Sequence, residues 1–367
     1  MPSRIAAQLS DIERLEILDE TGRVDADLEP DLTPDQLMDL YRGMLTARLF
    51  DERMLQLQRQ GRIGTFAPIK GQEAANMGAV VHLRSSDWLV PSFRETAAQL
   101  WRGMPMETIW FFSAGYNEAF ALPPDSRDLP LCVPVASQLL HATGIAYAAK
   151  LRGLDEIVMA FCGDGATSSG DFHEALNFAA VWKVPVVFIV QNNHWAISVP
   201  LAKQTAAHTL AQKAVAYAMP SVQVDGNDVL AVWEGARRAV AHARSGHGPM
   251  LVECVTYRMS VHTTADDPTK YRDEEEVALW EKRDPIQRVE RYLADKGILS
   301  QDQRETVTGE IKQTLRDAWA RVEARVKEVE AAPPEELFDH LYAETPPHLE
   351  EQRREFLQHI KEGRIRG

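Results

Sequence analysis

The residues in this sequence best suited to chemistry are a Gly163-Asp164-Gly165 turn and an Asn192-Asn193 pair one helical crossover downstream. Both follow apolar, β-branched runs, IVMAFC and VPVVFIV, which read as strands. A carboxylate, an amide oxygen and a nearby backbone carbonyl are hard donors of the kind magnesium takes, with phosphate oxygens and water completing its octahedron. Asp164, Asn193 and the carbonyl of Trp195 are the expected metal ligands. The amides of Gly165 and Ala166, at the approach to a helix, are placed to receive a phosphate directly. The expected ligand is a magnesium diphosphate. Alone, a Gly-Asp-Gly turn is usually only a turn and an Asn-Asn pair only a capped loop. A nucleotide loop fits less well, because the third glycine of G-x-G-x-x-G falls on Ser168 and no G-K-S/T follows.

The elements around these residues give them a common address. After Gly153 the spacing predicts strand 157–162, helix 170–182, strand 184–190, a helix near 209–218, strand 222–225, helix 228–244 and strand 250–257. Strands spaced by helices imply a mostly parallel α/β sheet flanked by helices. Parallel strands joined by a crossover point the same way, so Asp164 and Asn193 meet at the carboxyl edge, where open sheets bind ligands. Upstream, Thr33, Pro34 and Gln36 form a capping box for a helix carrying Leu37, Leu40, Tyr41, Met44 and Leu45. Helices at 71–83 and 94–103 flank a short strand in DWLVPSFR, and the Pro-rich stretch 117–136 reads as a loop. Residues 1–31 read as an N-terminal arm on a neighbouring surface, 32–290 as the α/β domain, and 291–367 as a C-terminal helical extension, with helices at 284–296, 301–330 and 347–361.

Bulk composition narrows the function classes. The 367 residues carry a net charge of −14 with no clustered basic face, against a nucleic-acid partner. No apolar run approaches a bilayer span, and the acidic N-terminus is unlike a signal or transit peptide, so no membrane partner and a cytoplasmic location are expected. Cys162 and Cys254 sit in apolar runs and read as buried reduced thiols.

Gly-Asp-Gly followed by Asn-Asn resembles the thiamine-diphosphate fingerprint, and the surrounding text narrows the resemblance. GDGATSSGDFHEALNFAA, QNNHWAISVP, VDGNDVLAV and YR…HTTADDPTKYR are similar to the alpha subunit of the decarboxylating component of 2-oxo acid dehydrogenase complexes, over residues 30–290. RQGRIGTFAPIKGQEAA is most similar to the bacterial pyruvate dehydrogenase type, and branched-chain homologues share much of it.

The resemblance implies a fold that binds the diphosphate half of thiamine diphosphate, with Asp164, Asn193 and Trp195 at magnesium and Gly165 and Ala166 on the diphosphate. Arg94 matches a further diphosphate contact. Phe93 stands where the family often has tyrosine, so that hydroxyl is missing. Val133 and Val135, with Ser137 beside them, match positions that hold the aminopyrimidine, and Phe66 matches a substrate-side wall, although alone it reads as core. His262 matches the active-site histidine near the thiazolium, here preceded by Ser260 and Val261.

The activity implied is oxidative decarboxylation of a 2-oxo acid, pyruvate first, with acyl transfer to a lipoyl group. The glutamate that activates the cofactor belongs in this family to a beta chain. The resemblance therefore implies two alpha and two beta chains docking to a lipoyl-bearing dihydrolipoyl acyltransferase core. The loop from His262 to Arg272 is expected to order on cofactor binding. Two other readings stay open: a branched-chain 2-oxo acid or acetoin dehydrogenase alpha subunit, and a non-catalytic diphosphate-binding module.

Overall fold

The computed structural model describes residues 12–116, 122, 125–330, 333–339 and 341–364. The chain divides into two compact units, one ending at Leu315 and one starting at Arg316.

The larger unit begins with a two-residue strand, β1 (Arg14–Leu15), followed by the long helix α1 (Pro34–Arg59). Next come α2 (Glu73–Val80), β2 (Trp88–Val90), α3 (Thr96–Trp101) and α4 (Met106–Ala114). Helix α5 (Ser137–Leu151) leads into β3 (Val158–Gly163), α6 (Gly170–Trp182) and β4 (Val186–Asn192). A small hairpin, β5 (Trp195–Ala196) and β6 (Val199–Pro200), precedes the one-turn α7 (Leu201–Gln204). The core closes with β7 (Ser221–Asp225), α8 (Val229–Arg244) and β8 (Met250–Val255), and α9 (Glu274–Glu281) and α10 (Pro285–Asp295) follow. Helix α11 (Gln301–Glu330) runs past Leu315.

Among the described residues, six strands form one sheet in the order β1-β7-β8-β4-β3-β2, with each pairing parallel. The central strands β3 and β4 are apolar almost throughout and buried on both faces, as covered parallel strands must be. Helices α5 and α6 cover one face through Leu139, Ala142, Ala146, Phe172, Ala175 and Leu176. The small residues of α2 and α8 allow close packing elsewhere: a Cβ on Gly78 would lie 2.7 Å from Val232, and one on Gly235 would lie 2.8 Å from Val224.

The register carries the functional consequence. Val158 pairs with Val186 and the ladder runs to Gly163 opposite Gln191, so β3 and β4 end together. Asp164 and Asn193 therefore leave the sheet side by side.

The capping box expected at α1 is present, with Gln36 N donating to Thr33 Oγ1 at 3.2 Å and Thr33 N donating to Gln36 Oε1 at 2.9 Å. The N-terminal arm departs from its sequence reading. Its first residues, 1–11, lie outside the described residues, but Arg14–Leu15 pairs with Gln223 and Val224 as an edge strand of the chain's own sheet. The amides of Ile17 and Leu18 donate to Asp228 Oδ2, whose Oδ1 also caps α8. Helix α10, placed near the expected boundary at 290, is tied to α1 by Arg48 to Asp284 and Tyr41 to Glu290, both at 2.9 Å. Strand β1, helix α4, the β5–β6 hairpin, α7 and α9 went unread. The region read as a helix near 209–218 is a 3-10 helix over Ala211–Tyr217.

In the smaller unit, α12 (Pro347–Lys361) carries Phe356, whose ring meets Phe338 edge-on at 5.8 Å. No helix among the described residues is long and apolar enough to cross a membrane.

Candidate functional site

A cavity of about 590 Å³ opens at the carboxyl edge of the sheet. Phe66, Phe93, Arg94, Val133, Val135, Asp164, Gly165, Ala166, Asn193, Trp195 and His262 all line it. Ser137 does not; its hydroxyl opens α5 by donating to the Pro134 carbonyl at 3.0 Å.

The floor is built from the ends of β3 and β4. Asp164 is buried, and its Oδ2 accepts a 2.6 Å hydrogen bond from Gln204 Nε2 of α7. Burial pushes its carboxyl above the usual range, opposed by the Gln204 bond and the charge of Arg258. A side chain at Gly165 would put a Cβ 2.8 Å from that of Ala196, so glycine lets the turn and the β5–β6 hairpin approach. Asn193 donates through Nδ2 to Gln72 Oε1 at 3.1 Å and accepts through Oδ1 from Trp195 N at 3.2 Å. His194 and Ile197 hold positive φ values of 70° and 54°, an unfavourable conformation for an isoleucine. The hairpin is held there by Arg258, which donates to the carbonyls of Trp195 at 3.1 Å and Ile197 at 2.6 Å. The Trp195 carbonyl, with two lone pairs, keeps one for another partner.

The opposite wall comes from the loop after β2 and the segment 65–72. Asp51 accepts from the amides of Ile69 and Lys70, and Arg94 donates to the Pro68 carbonyl, which together shape that segment. Arg94 and Arg258 are buried and converge on His262 Nδ1 at 3.3 and 3.2 Å. Two N–H donors aimed at Nδ1 make it the acceptor, so the neutral ring carries its proton on Nε2. Burial, then the charges of Arg94 and Arg258, bring the His262 pKa down to about 4. Arg94 itself falls to about 10, through burial and then repulsion from Arg258. The His262 loop is fastened by Asp266, which accepts from His262 N at 2.9 Å and from the Tyr271 hydroxyl, and by Thr264 N donating to the Phe66 carbonyl at 3.1 Å.

Several cavity residues escaped the sequence reading. Gln72 and Glu95 are buried in the wall, and burial raises the Glu95 carboxyl to about 7 against hydrogen bonds from Arg94 N and Gln191 Nε2. Gln72 lies in the quoted KGQEAA text and Arg258 in the quoted YR pair, so both were visible without a role. Met54, Ile109, Phe112 and Leu131 add an apolar wall, two of them from the unread α4.

Chemically, the floor offers one buried carboxylate beside an amide oxygen and a carbonyl, and the wall offers the desolvated guanidinium of Arg94, with that of Arg258 bonded to His262 and the Trp195 carbonyl. That arrangement suits a cation carrying a polyanion. No cluster of three His, Cys, Asp or Glu side chains able to hold a metal occurs among the described residues, so any metal here depends on a mixed oxygen set. Cys162 and Cys254 are buried free thiols pushed well above their ordinary range by desolvation.

A family model described as the dehydrogenase E1 component matches residues 41–330. The chain is 40% identical over 345 residues to the pyruvate dehydrogenase E1 component subunit alpha of Staphylococcus aureus, covering 94% of this chain and 92% of that protein. It is 46% identical over 326 residues to the 3-methyl-2-oxobutanoate dehydrogenase subunit alpha of Mycobacterium tuberculosis, covering 88% and 87%.

Proposed function

The chain belongs to the dehydrogenase E1 component family as a 2-oxo acid dehydrogenase alpha subunit, and from that premise we propose that its cavity binds thiamine diphosphate with magnesium for decarboxylation of a 2-oxo acid. The observation that carries this reading is the convergence of Asp164, Asn193 and Trp195 with Arg94 and His262 on one cavity, with Arg258 tying His262 to the Trp195 carbonyl. The residues fit such a ligand. Asp164 is a buried carboxylate lining the cavity, whose desolvation a divalent cation offsets.

When bound, the cofactor supplies the carbon nucleophile and the electron sink for loss of carbon dioxide. The chain's own residues bind and orient. Asp164 Oδ1, Asn193 Oδ1 and the Trp195 carbonyl hold magnesium, the amides of Gly165 and Ala166 receive phosphate oxygens, and Arg94 neutralises the diphosphate. Phe93 packs edge-on against His262 at 6.0 Å. His262, neutral with its proton on Nε2, donates to the oxygen of the bound substrate.

Val133 and Val135 are exposed at the rim, in keeping with a cofactor whose other half is held by a beta chain. The active unit is proposed to be two alpha and two beta chains, passing the acyl group to a lipoyl-bearing acyltransferase core. Pyruvate is the first substrate reading. The apolar wall of Met54, Phe66, Ile109, Phe112 and Leu131 favours a second, a branched-chain 2-oxo acid. Decarboxylation by the chain co-purified with its beta chain, with and without thiamine diphosphate, tests the assignment. Cofactor-independent turnover, or full activity of the alpha chain alone, would overturn it, and rates with pyruvate against 3-methyl-2-oxobutanoate separate the two substrates.

A further inference from the structure

We propose that Gln72 is a direct donor to the diphosphate of the cofactor, an inference that rests on the reading of the cavity given above. Gln72 follows Gly71, which has a φ of +100° and where a Cβ would lie 2.3 Å from the Tyr257 carbonyl, so the backbone entering α2 is fixed by a glycine-only approach. The Gln72 side chain is fully buried and stands on the cavity wall. Its Oε1 accepts from Asn193 Nδ2 at 3.1 Å, while Asn193 Oδ1 accepts from Trp195 N at 3.2 Å. This pairing sets the orientation of both amides and leaves Gln72 Nε2 as a donor.

That donor has no partner. Its neighbours are paired: Gln191 Nε2 donates to Glu95 Oε1, Gln191 Oε1 accepts from Asn76 Nδ2 at 2.8 Å, and Asn76 Oδ1 accepts from Ala98 N at 3.5 Å. A buried amide N–H left unmatched inside a paired network is costly unless a ligand supplies the acceptor. Beside Asn193, one of the three groups assigned to magnesium, the acceptor at hand is an anionic diphosphate oxygen. Gln72 then acts with both ends of its amide, Oε1 setting the Asn193 rotamer and Nε2 binding the ligand.

Two variants separate these ends. Gln72→Glu keeps an oxygen for Asn193 and replaces the donor with an anion, whereas Gln72→Ala removes both. In calorimetric titration of the chain co-purified with its beta chain, with magnesium present, thiamine diphosphate binds Gln72→Ala about 10- to 100-fold more weakly than wild type, and Gln72→Glu at least as weakly. Wild-type affinity in Gln72→Glu overturns the proposal and leaves Gln72 only the task of holding Asn193. Unchanged cofactor affinity with a raised KM for the 2-oxo acid overturns it too, moving the donor to the substrate carboxylate. If Gln72→Ala does not assemble, the near-isosteric Gln72→Glu decides. A wild-type complex that fails to bind thiamine diphosphate defeats the reading of the cavity itself, an outcome distinct from equal binding by wild type and variant.

Discussion

Replacing Gly165 by alanine should separate the two halves of the proposed metal site while leaving every ligand in place chemically. The added Cβ would lie 2.8 Å from Ala196 Cβ and 3.6 Å from the backbone α-carbon of the same residue. Carbon atoms rest about 3.5–4.0 Å apart, so the overlap with the Ala196 methyl is close to 1 Å, whereas the separation from the backbone is ordinary. Overpacking of this kind costs about 1–3 kcal/mol, which for a unit of this size lowers the melting temperature by about 2–5 °C. The relaxation available is movement of the β5–β6 hairpin away from the Asp164 turn, which carries Trp195 with it and widens the gap a metal must bridge. Thermal unfolding of the cofactor-free complex and titration with thiamine diphosphate read the two effects. The double variant Gly165→Ala/Ala196→Gly removes the atom that is struck, so its melting temperature should return to that of Ala196→Gly alone. An unchanged melting temperature in Gly165→Ala, or no recovery in the double variant, would show that this overlap does not govern the approach of the hairpin.

The same geometry sets three further outcomes. Asp164→Asn relieves a desolvated charge, so the cofactor-free complex keeps or gains thermal stability, while affinity for magnesium and thiamine diphosphate falls by more than about 100-fold, beyond the loss typical of an outer-shell partner; unchanged affinity removes Asp164 from the site. The His262 pKa is lowered to about 4 from the ordinary 6.5, so its neutral ring contributes stability fully above pH 6.5 and loses it as pH falls toward 4. The melting temperature of wild type relative to His262→Gln should therefore drop across that window in the cofactor-free complex, and a flat difference counts against the assignment. Arg258→Leu leaves the carbonyls of Trp195 and Ile197 without their buried donor; destabilisation by about 3–5 kcal/mol is expected from chemical denaturation, and a loss below about 1 kcal/mol, the net worth of one ordinary hydrogen bond, would show that the hairpin does not depend on it.

The parts of this molecule legible in its sequence are those decided by local pattern. IVMAFC and VPVVFIV are apolar on both faces, and the crossover between them leaves little choice but a parallel pair, which is why Asp164 and Asn193 could be placed together from the sequence alone. The capping box at Thr33 is equally local. Strand β1 was not legible because a two-residue edge strand has no period, and its partner is Gln223–Val224, far along the chain. Helix α4 carries the short continuous apolar run IWFF within METIWFFSA, without the alternation that marks an amphipathic helix. Arg258 ran against expectation for its type, since arginine is rarely fully buried; its burial is offset by two carbonyls and a tyrosine hydroxyl that only the folded hairpin and loop bring within reach. The unmatched amide of Gln72 is likewise a property of packing.

The decisive measurement is a crystal structure of the chain with its beta chain, grown with thiamine diphosphate and manganese in place of magnesium, using anomalous scattering to locate the metal. One strong peak is expected within bonding distance of Asp164, Asn193 and the Trp195 carbonyl, with the diphosphate against Gly165 and Ala166. A peak elsewhere, or a cofactor bound outside this cavity, would rule out the site proposed for both.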